Sequence, residues 1–276
     1  MKSVILNLHR KNTANIGDLM CAPYLFFPEL LGTNSMEILG FRAGDEPIRD
    51  RRVLFNETFA QADLIVVGGG GLLEIDFFAP FFEYLKTNKK RQKAVIWGAG
   101  HNNWQIGDWR KLKSEYTFDA SLFDLIGTRD SNTRFDWVPC VSCMSEQFDK
   151  PHSISRSIGV YAHAATLKNE AFRKRLPSDF DMIDNSSSFE DAIEFLGSSE
   201  LVLTDSFHGA YWATLLGRRV VCFPSSSKFY DLKHAAPFCA PEDWQRFSRL
   251  SQVYPEALDE CRDQNKLFAE RVAGLL

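Results

Sequence analysis

The sequence predicts an α/β protein built of two Rossmann-like halves, each with a parallel sheet, and a cleft between them. Three observations carry this. Short apolar, β-branched runs recur along the chain and end in glycine or polar loops. Helix-like segments separate them. The pattern stops in a polar stretch near the middle and then restarts. The 276 residues, 45% of them hydrophobic, are enough for two such cores.

Taken in order, "SVILNLH" (3–9) reads as a buried first strand, followed by the polar loop "NTANIGD" (12–18). "LMCAPYLFFPELL" (19–31) reads as a helix broken by proline, and "SMEILGF" (35–41) as a second strand. "DLIVVGGGGLLE" (63–74) is a strand running into four glycines. "KAVIWGAG" (93–100) and "FDLIGTRDSNT" (123–133) repeat that layout. "SEQFDKPHSISRS" (145–157) is the linker, which divides the chain into an acceptor-side domain, 1–150, and a donor-side domain, 151–276. Strand "SIGVYAH" (157–163), helix "SFEDAIEFLGSS" (188–199) and strand "ELVLTD" (200–205) follow. Then come helix "FHGAYWATLLG" (207–217), strand "RRVVCFP" (218–224) and a helical, charged tail (257–276).

Composition narrows the function classes. The net charge is −4, and the dense basic cluster "KTNKKRQK" (86–93) reads as a solvated helix end, so no nucleic-acid partner is expected. The apolar run in "MKSVILNLHR" is too short for a signal peptide, and no stretch nears the ~20 apolar residues of a membrane span. A cytoplasmic location is expected. Cys140 and Cys143 form a C-x-x-C without a second ligand pair at metal spacing, so they read as structural thiols and no metal is expected.

In open parallel sheets, ligands lie at the carboxyl ends of strands, which gathers the candidate residues in the cleft. In "LTDSFHGAYWATLLG", Asp205 or Ser206 caps a helix whose first turn holds Phe207, His208 and Gly209. A capped helix N-terminus presents free N–H groups and partial positive charge, which suits an anion. His208 there reads either as a proton donor to that anion or as a core histidine behind a cap. Gly209 allows close backbone approach. The Gly68–Gly71 segment lacks the dinucleotide register and the P-loop lysine. It reads as an anion- or sugar-approach loop at Gly69, Gly70 and Gly71, or as tight packing. Asn15 and Asp18 lie in the first loop, Asp18 either capping a helix or meeting a sugar hydroxyl. Arg129 follows a strand and suits a carboxylate or phosphate, or else pairs with Asp130. Lys228 returns to the same edge among serines. His101 reads as a bystander.

"NIGD", "ADLIVVGGGGLLE", "VIWGAG", "GTRDSNT" and above all "VLTDSFHGAYWATLLGRRVVCFP", in this order, resemble the polysaccharide pyruvyl transferase family. The resemblance implies a two-domain, GT-B-like fold. It also implies transfer of pyruvate from phosphoenolpyruvate to a sugar, forming a cyclic ketal. His208 then looks like the essential histidine, Arg129 like the arginine of the R-D motif and Lys228 like the basic residue that follows. Phosphoenolpyruvate would be held by Arg129, Lys228 and the Ser206–Phe207–Gly209 turn. The saccharide, lipid-linked, nucleotide-linked or polymeric, would meet Asn15, Asp18, Gly69, Gly70 and Gly71. No cofactor is implied beyond the donor substrate, and a lipid-linked acceptor would bring peripheral membrane contact. Ser206 and Phe207 stand where other members carry an Arg-Leu or Arg-Phe pair before the histidine. Two other readings stay open: a GT-B-type glycosyltransferase using a nucleotide-sugar, and a non-catalytic glycan-binding module.

Overall fold

In the computed structural model, residues 3–11, 13–42, 46–104 and 116–276 are described, with 46–50 described by backbone alone. Asn12, in the first polar loop, lies outside them. Two parallel sheets organise the chain. The first contains β1 (Ile5–His9), β2 (Ser35–Glu37), β3 (Leu64–Val67), β4 (Gly70–Leu73), β5 (Lys93–His101), β6 (Leu125–Thr128) and β7 (Asp136–Trp137). Their order is β2-β1-β3-β5-β6-β7, with β4 paired to β5. The second sheet contains β8 (Arg156–Ala162), β9 (Asp181–Asp184), β10 (Ser199–Thr204) and β11 (Arg219–Cys222), in the order β11-β10-β8-β9. Every residue of β1 and β3 is buried, as is all of β5 after Lys93. Burial on both faces explains why β3 and the first half of β5 read as unbroken apolar runs rather than alternating ones.

The helices are α1 (Ile16–Leu19), α2 (Pro28–Leu31), α3 (Glu46–Gln61), α4 (Ala79–Asn88), α5 (Ala164–Lys168), α6 (Glu170–Arg173), α7 (Phe189–Gly197), α8 (Phe207–Leu215), α9 (Trp244–Ser248) and α10 (Ala257–Ala273). Segment 19–31 is not one interrupted helix. Pro23 and Pro28 each open a separate short turn, since proline fits a first helical position but not a helix interior. The second strand is also shorter than expected and gives way to turns at 38–41.

The last helix spans both halves: Ala257 and Cys261 join the core of α8 and the second sheet, and its end crosses to the first. Phe268, Ala269 and Val272 of α10 pack with Val66, Val95 and Trp97 of the first. Asn265, fully buried, accepts from Trp97 Nε1 at 2.8 Å and donates to the Pro139 and Cys261 carbonyls. Segment 145–149 is likewise held rather than loose. Arg262 on α10 grips both Asp149 carboxylate oxygens and the Cys143 and Ser145 carbonyls.

Further bonds sew the two sheets together at the carboxyl ends of their strands. Asn103 N donates to Ser227 Oγ, Ser227 N to the Asn103 carbonyl, and Ser226 Oγ to Asn102 Oδ1. Asp231, 3% exposed, accepts from the Asn132 backbone and amide. His101 belongs to this seam, with Nδ1 2.8 Å from Ser227 Oγ. No helix among the described residues is long and apolar enough to cross a membrane.

Candidate active site

A cavity of about 450 Å³ opens between the sheets. Asn15, Asp18, Gly71, Asn102, Trp104 and Arg129 line it from the first, and His163, Asp205, Phe207, His208 and Lys228 among others from the second. Helix α8 brings its N-terminus here. Ser206 is the cap, its Oγ accepting from Gly209 N. All nine residues of α8 are buried, so its first turn is fixed by packing rather than by a mobile loop.

Arg129 is the most telling side chain. It is 4% exposed, its guanidinium lies 3.7 Å from the Phe207 ring centroid, and neither Nε nor Nη2 has a hydrogen-bond partner. Arg129 lines the cavity wall, and leaving buried donors unsatisfied is costly unless a partner arrives. Phe207 serves as the platform under that cation.

Lys228 sits on the turn Ser227–Phe229, with Nζ 3.1 Å from His163 Nε2. Burial, opposed by the Asp205 carboxylate and helped by Arg129, brings Lys228 down to about 8. Burial and the Lys228 charge bring His163 down to about 4, so the ring is neutral at pH 7. Asn185 Oδ1 accepts from Ala164 N, which turns its Nδ2 toward His163 Nδ1 at 2.9 Å. A neutral imidazole accepts at one nitrogen only. With Nδ1 accepting from Asn185, the hydrogen left on Nε2 faces Lys228 Nζ, a contact that disfavours the ammonium. The hydrogen-bond pattern therefore pulls the lysine in the same direction as burial. Asp205 accepts from His163 N and from Thr166 Oγ1, tying the loop after β8 to the one after β10.

His208 is 4% exposed and turns Nε2 toward two sulfurs, Cys21 Sγ at 3.2 Å and Cys140 Sγ at 3.5 Å. The sulfurs are 3.7 Å apart. Burial pushes the Cys21 thiol up. Burial pushes Cys140 the same way, but hydrogen bonds with Cys21 and His208 outweigh it and hold that thiol well below its ordinary value. Gly17 lies on the other side of the ring, where a Cβ would overlap Nδ1.

The remaining expected residues fall in three places. Asn15 caps α1 by accepting from Gly17 N, which leaves Asp18 within the helix and on the cavity wall. Gly69, Gly70 and Gly71 border an adjoining cavity of about 280 Å³ together with Asp18, Arg10, Phe77, Phe78 and Trp104. Gly69 also packs on the Cys21 and Gly98 carbonyls, so close packing and cavity lining are both true of this loop. Gly209 lies away from the cavity, because its missing Cβ makes room for Thr204 and Tyr161. Cys140 does not work with Cys143; its partners are Cys21, 119 positions away in sequence, and His208. No spacing rule reveals that trio. His163 and Thr166 were also hidden, although a histidine just after a strand at the cleft edge was a usable signal.

Two parallel sheets facing each other across a cavity make this an α/β protein of two parallel-sheet halves. Within it, residues 144–227, which include α8 and end one residue before Lys228, match the family model described as Polysaccharide pyruvyl transferase. No curated protein matches the chain by sequence. Solved structures with a similar fold include an uncharacterized protein from Klebsiella pneumoniae (16% identity, 80% of this chain and 84% of that one, TM-score 0.47). The UDP-GlcNAc 2-epimerase of Methanocaldococcus jannaschii is another (11%, 90% and 88%, 0.48). A third is the spinosyn rhamnosyltransferase SpnG complexed with thymidine diphosphate (13%, 99% and 100%, 0.47).

Proposed function

We propose that this protein transfers pyruvate from phosphoenolpyruvate to two hydroxyls of a saccharide, forming a ketal. The observation that carries the reading is Arg129, buried at the cavity wall with open guanidinium donors, opposite Lys228. Phosphoenolpyruvate bears a carboxylate and a phosphate. Two cations and the α8 N-terminus supply complementary charge for both groups, fixed in place before the ligand arrives. The match over residues 144–227 supports the same chemistry.

In this scheme C3 of the enol takes a proton and C2 becomes electrophilic. One saccharide oxygen bonds to C2, phosphate leaves with the bridging oxygen, and the second oxygen closes the ketal as both hydroxyl protons depart. His208 is the proton donor. Its Nε2 faces sulfur, so Nδ1 is the nitrogen for the substrate side. Lys228 meets the phosphate as an ammonium, which a dianion favours over the neutral amine. Asp18 and the Gly69–Gly71 loop border the adjoining cavity that takes the saccharide, with Phe77, Phe78 and Trp104 also on its wall.

The test is the pyruvate ketal content of surface polysaccharide from cells with and without this chain, read by proton resonance of the ketal methyl. Loss of the methyl signal, restored by the wild-type chain and not by His208→Asn, is the expected result. An unchanged signal contradicts the reading.

A further inference from the structure

Cys21, Cys140 and His208 come from three separate parts of the chain: the turn after α1, the segment after β7 and the first turn of α8. All three are buried, and their donor atoms lie within 4.8 Å of one another. The separations are 3.7 Å between sulfurs and 3.2 and 3.5 Å from sulfur to Nε2. A tetrahedral zinc ion binds sulfur at about 2.3 Å and imidazole nitrogen at about 2.0–2.1 Å. Such an ion sets sulfur–sulfur edges of about 3.8 Å and sulfur–nitrogen edges of about 3.5 Å. The three donors thus already stand close to the corners of one face of that tetrahedron.

We infer that Cys21, Cys140 and His208 Nε2 form a Cys₂His site for a thiophilic divalent metal ion such as zinc. The surroundings of Cys140 fit a thiolate ligand, while Cys21 Sγ, 3.0 Å from the Gly17 carbonyl as a donor, gives up that proton on binding. Ser142 Oγ lies 3.2 Å from Cys140 Sγ and itself accepts from Trp212 Nε1, which leaves the hydroxyl hydrogen for the sulfur. Tyr211 OH donates to the Cys140 carbonyl and fixes the backbone there. Such outer partners orient ligands and sustain metal affinity. Three protein donors leave one coordination position for water or a substrate oxygen, and His208 lines the cavity. Metal at Nε2 fixes the tautomer with its hydrogen on Nδ1. The assignment rests on donor geometry and is independent of the pyruvyl reading.

The test is made on the full chain without reference to turnover. Protein purified from zinc-supplemented cells, without chelators, is assayed for metal by plasma mass spectrometry. Chelator-stripped protein is then titrated with cobalt(II). About one equivalent of zinc, and a sulfur-to-cobalt charge-transfer band with strong tetrahedral visible bands saturating near one cobalt, are expected. Cys21→Ser and Cys140→Ser abolish both signals, and Cys239→Ser, outside the cluster, keeps them. The wild-type cobalt spectrum stands even if a serine variant does not fold. Stripped wild-type protein that is folded by circular dichroism and gives no thiolate–cobalt band overturns the assignment. So does full metal content in a folded Cys21→Ser/Cys140→Ser double variant.

Discussion

Single residues decide the charge balance of the cavity. Lys228 stands at about 8 against an ordinary 10.5. The unfolded chain therefore binds this proton between those values while the folded chain does not, and stability rises with pH across that window. Below about 8 both states hold the proton, and the folded state carries the full cost of the buried charge. Lys228→Met is expected to be more stable than wild type at pH 7 and to lose the rise above pH 8, measured by urea unfolding at stepped pH. Phosphoenolpyruvate affinity moves the other way. It falls by up to about tenfold per pH unit above 8 as the ammonium is lost, and titration calorimetry across pH 7–10 reads the slope. Gly17→Ala tests the other side of the site. Alanine suits a helical position, but its Cβ would overlap His208 Nδ1. We expect a folded protein with turnover lowered at least about a hundredfold, the size of a lost general acid. Unchanged kcat in that variant rules out Nδ1 as the proton donor.

Elements place these residues, and here the sequence was partly legible. Apolar runs ending in glycine identified β3, β5 and β6, because strands buried on both faces must be continuously apolar. Ser206 was readable as one of two candidate caps, since a hydroxyl before an apolar run has a local job. The destination of α10 was not readable. Its charged periodicity shows an amphipathic helix, but nothing local says that Asn265 meets Trp97, 168 positions earlier. The Cys21–Cys140–His208 trio and the Arg129–Phe207 stack were hidden for the same reason: each joins segments that only the tertiary fold brings together. Asn265→Ala leaves the Trp97 N–H buried without a partner. The expected destabilisation is about 2–3 kcal/mol, seen as a lower urea midpoint with an unchanged slope. A midpoint within error of wild type would show that α10 is not fastened through this bond.

At the scale of the molecule, the cavity exists because two sheets are held at a fixed separation. The seam from Asn102 and Asn103 to Ser226 and Ser227, with Asp231 beneath Asn132, sets the distance between Arg129 and Lys228. Asp231→Ala is expected to weaken phosphoenolpyruvate binding about tenfold or more without touching the ligand, because a cation pair out of register loses its complementarity. The most direct test of the central claim, that this cavity is a seat for phosphoenolpyruvate, is one calorimetric comparison. Phosphoenolpyruvate is titrated into wild type and Arg129→Met, with UDP, GDP and CMP as competing ligands. The account predicts one site on wild type, affinity lowered at least about a hundredfold by the substitution, and no comparable nucleotide binding. Nucleotide binding without phosphoenolpyruvate binding, or equal affinity in Arg129→Met, would contradict it.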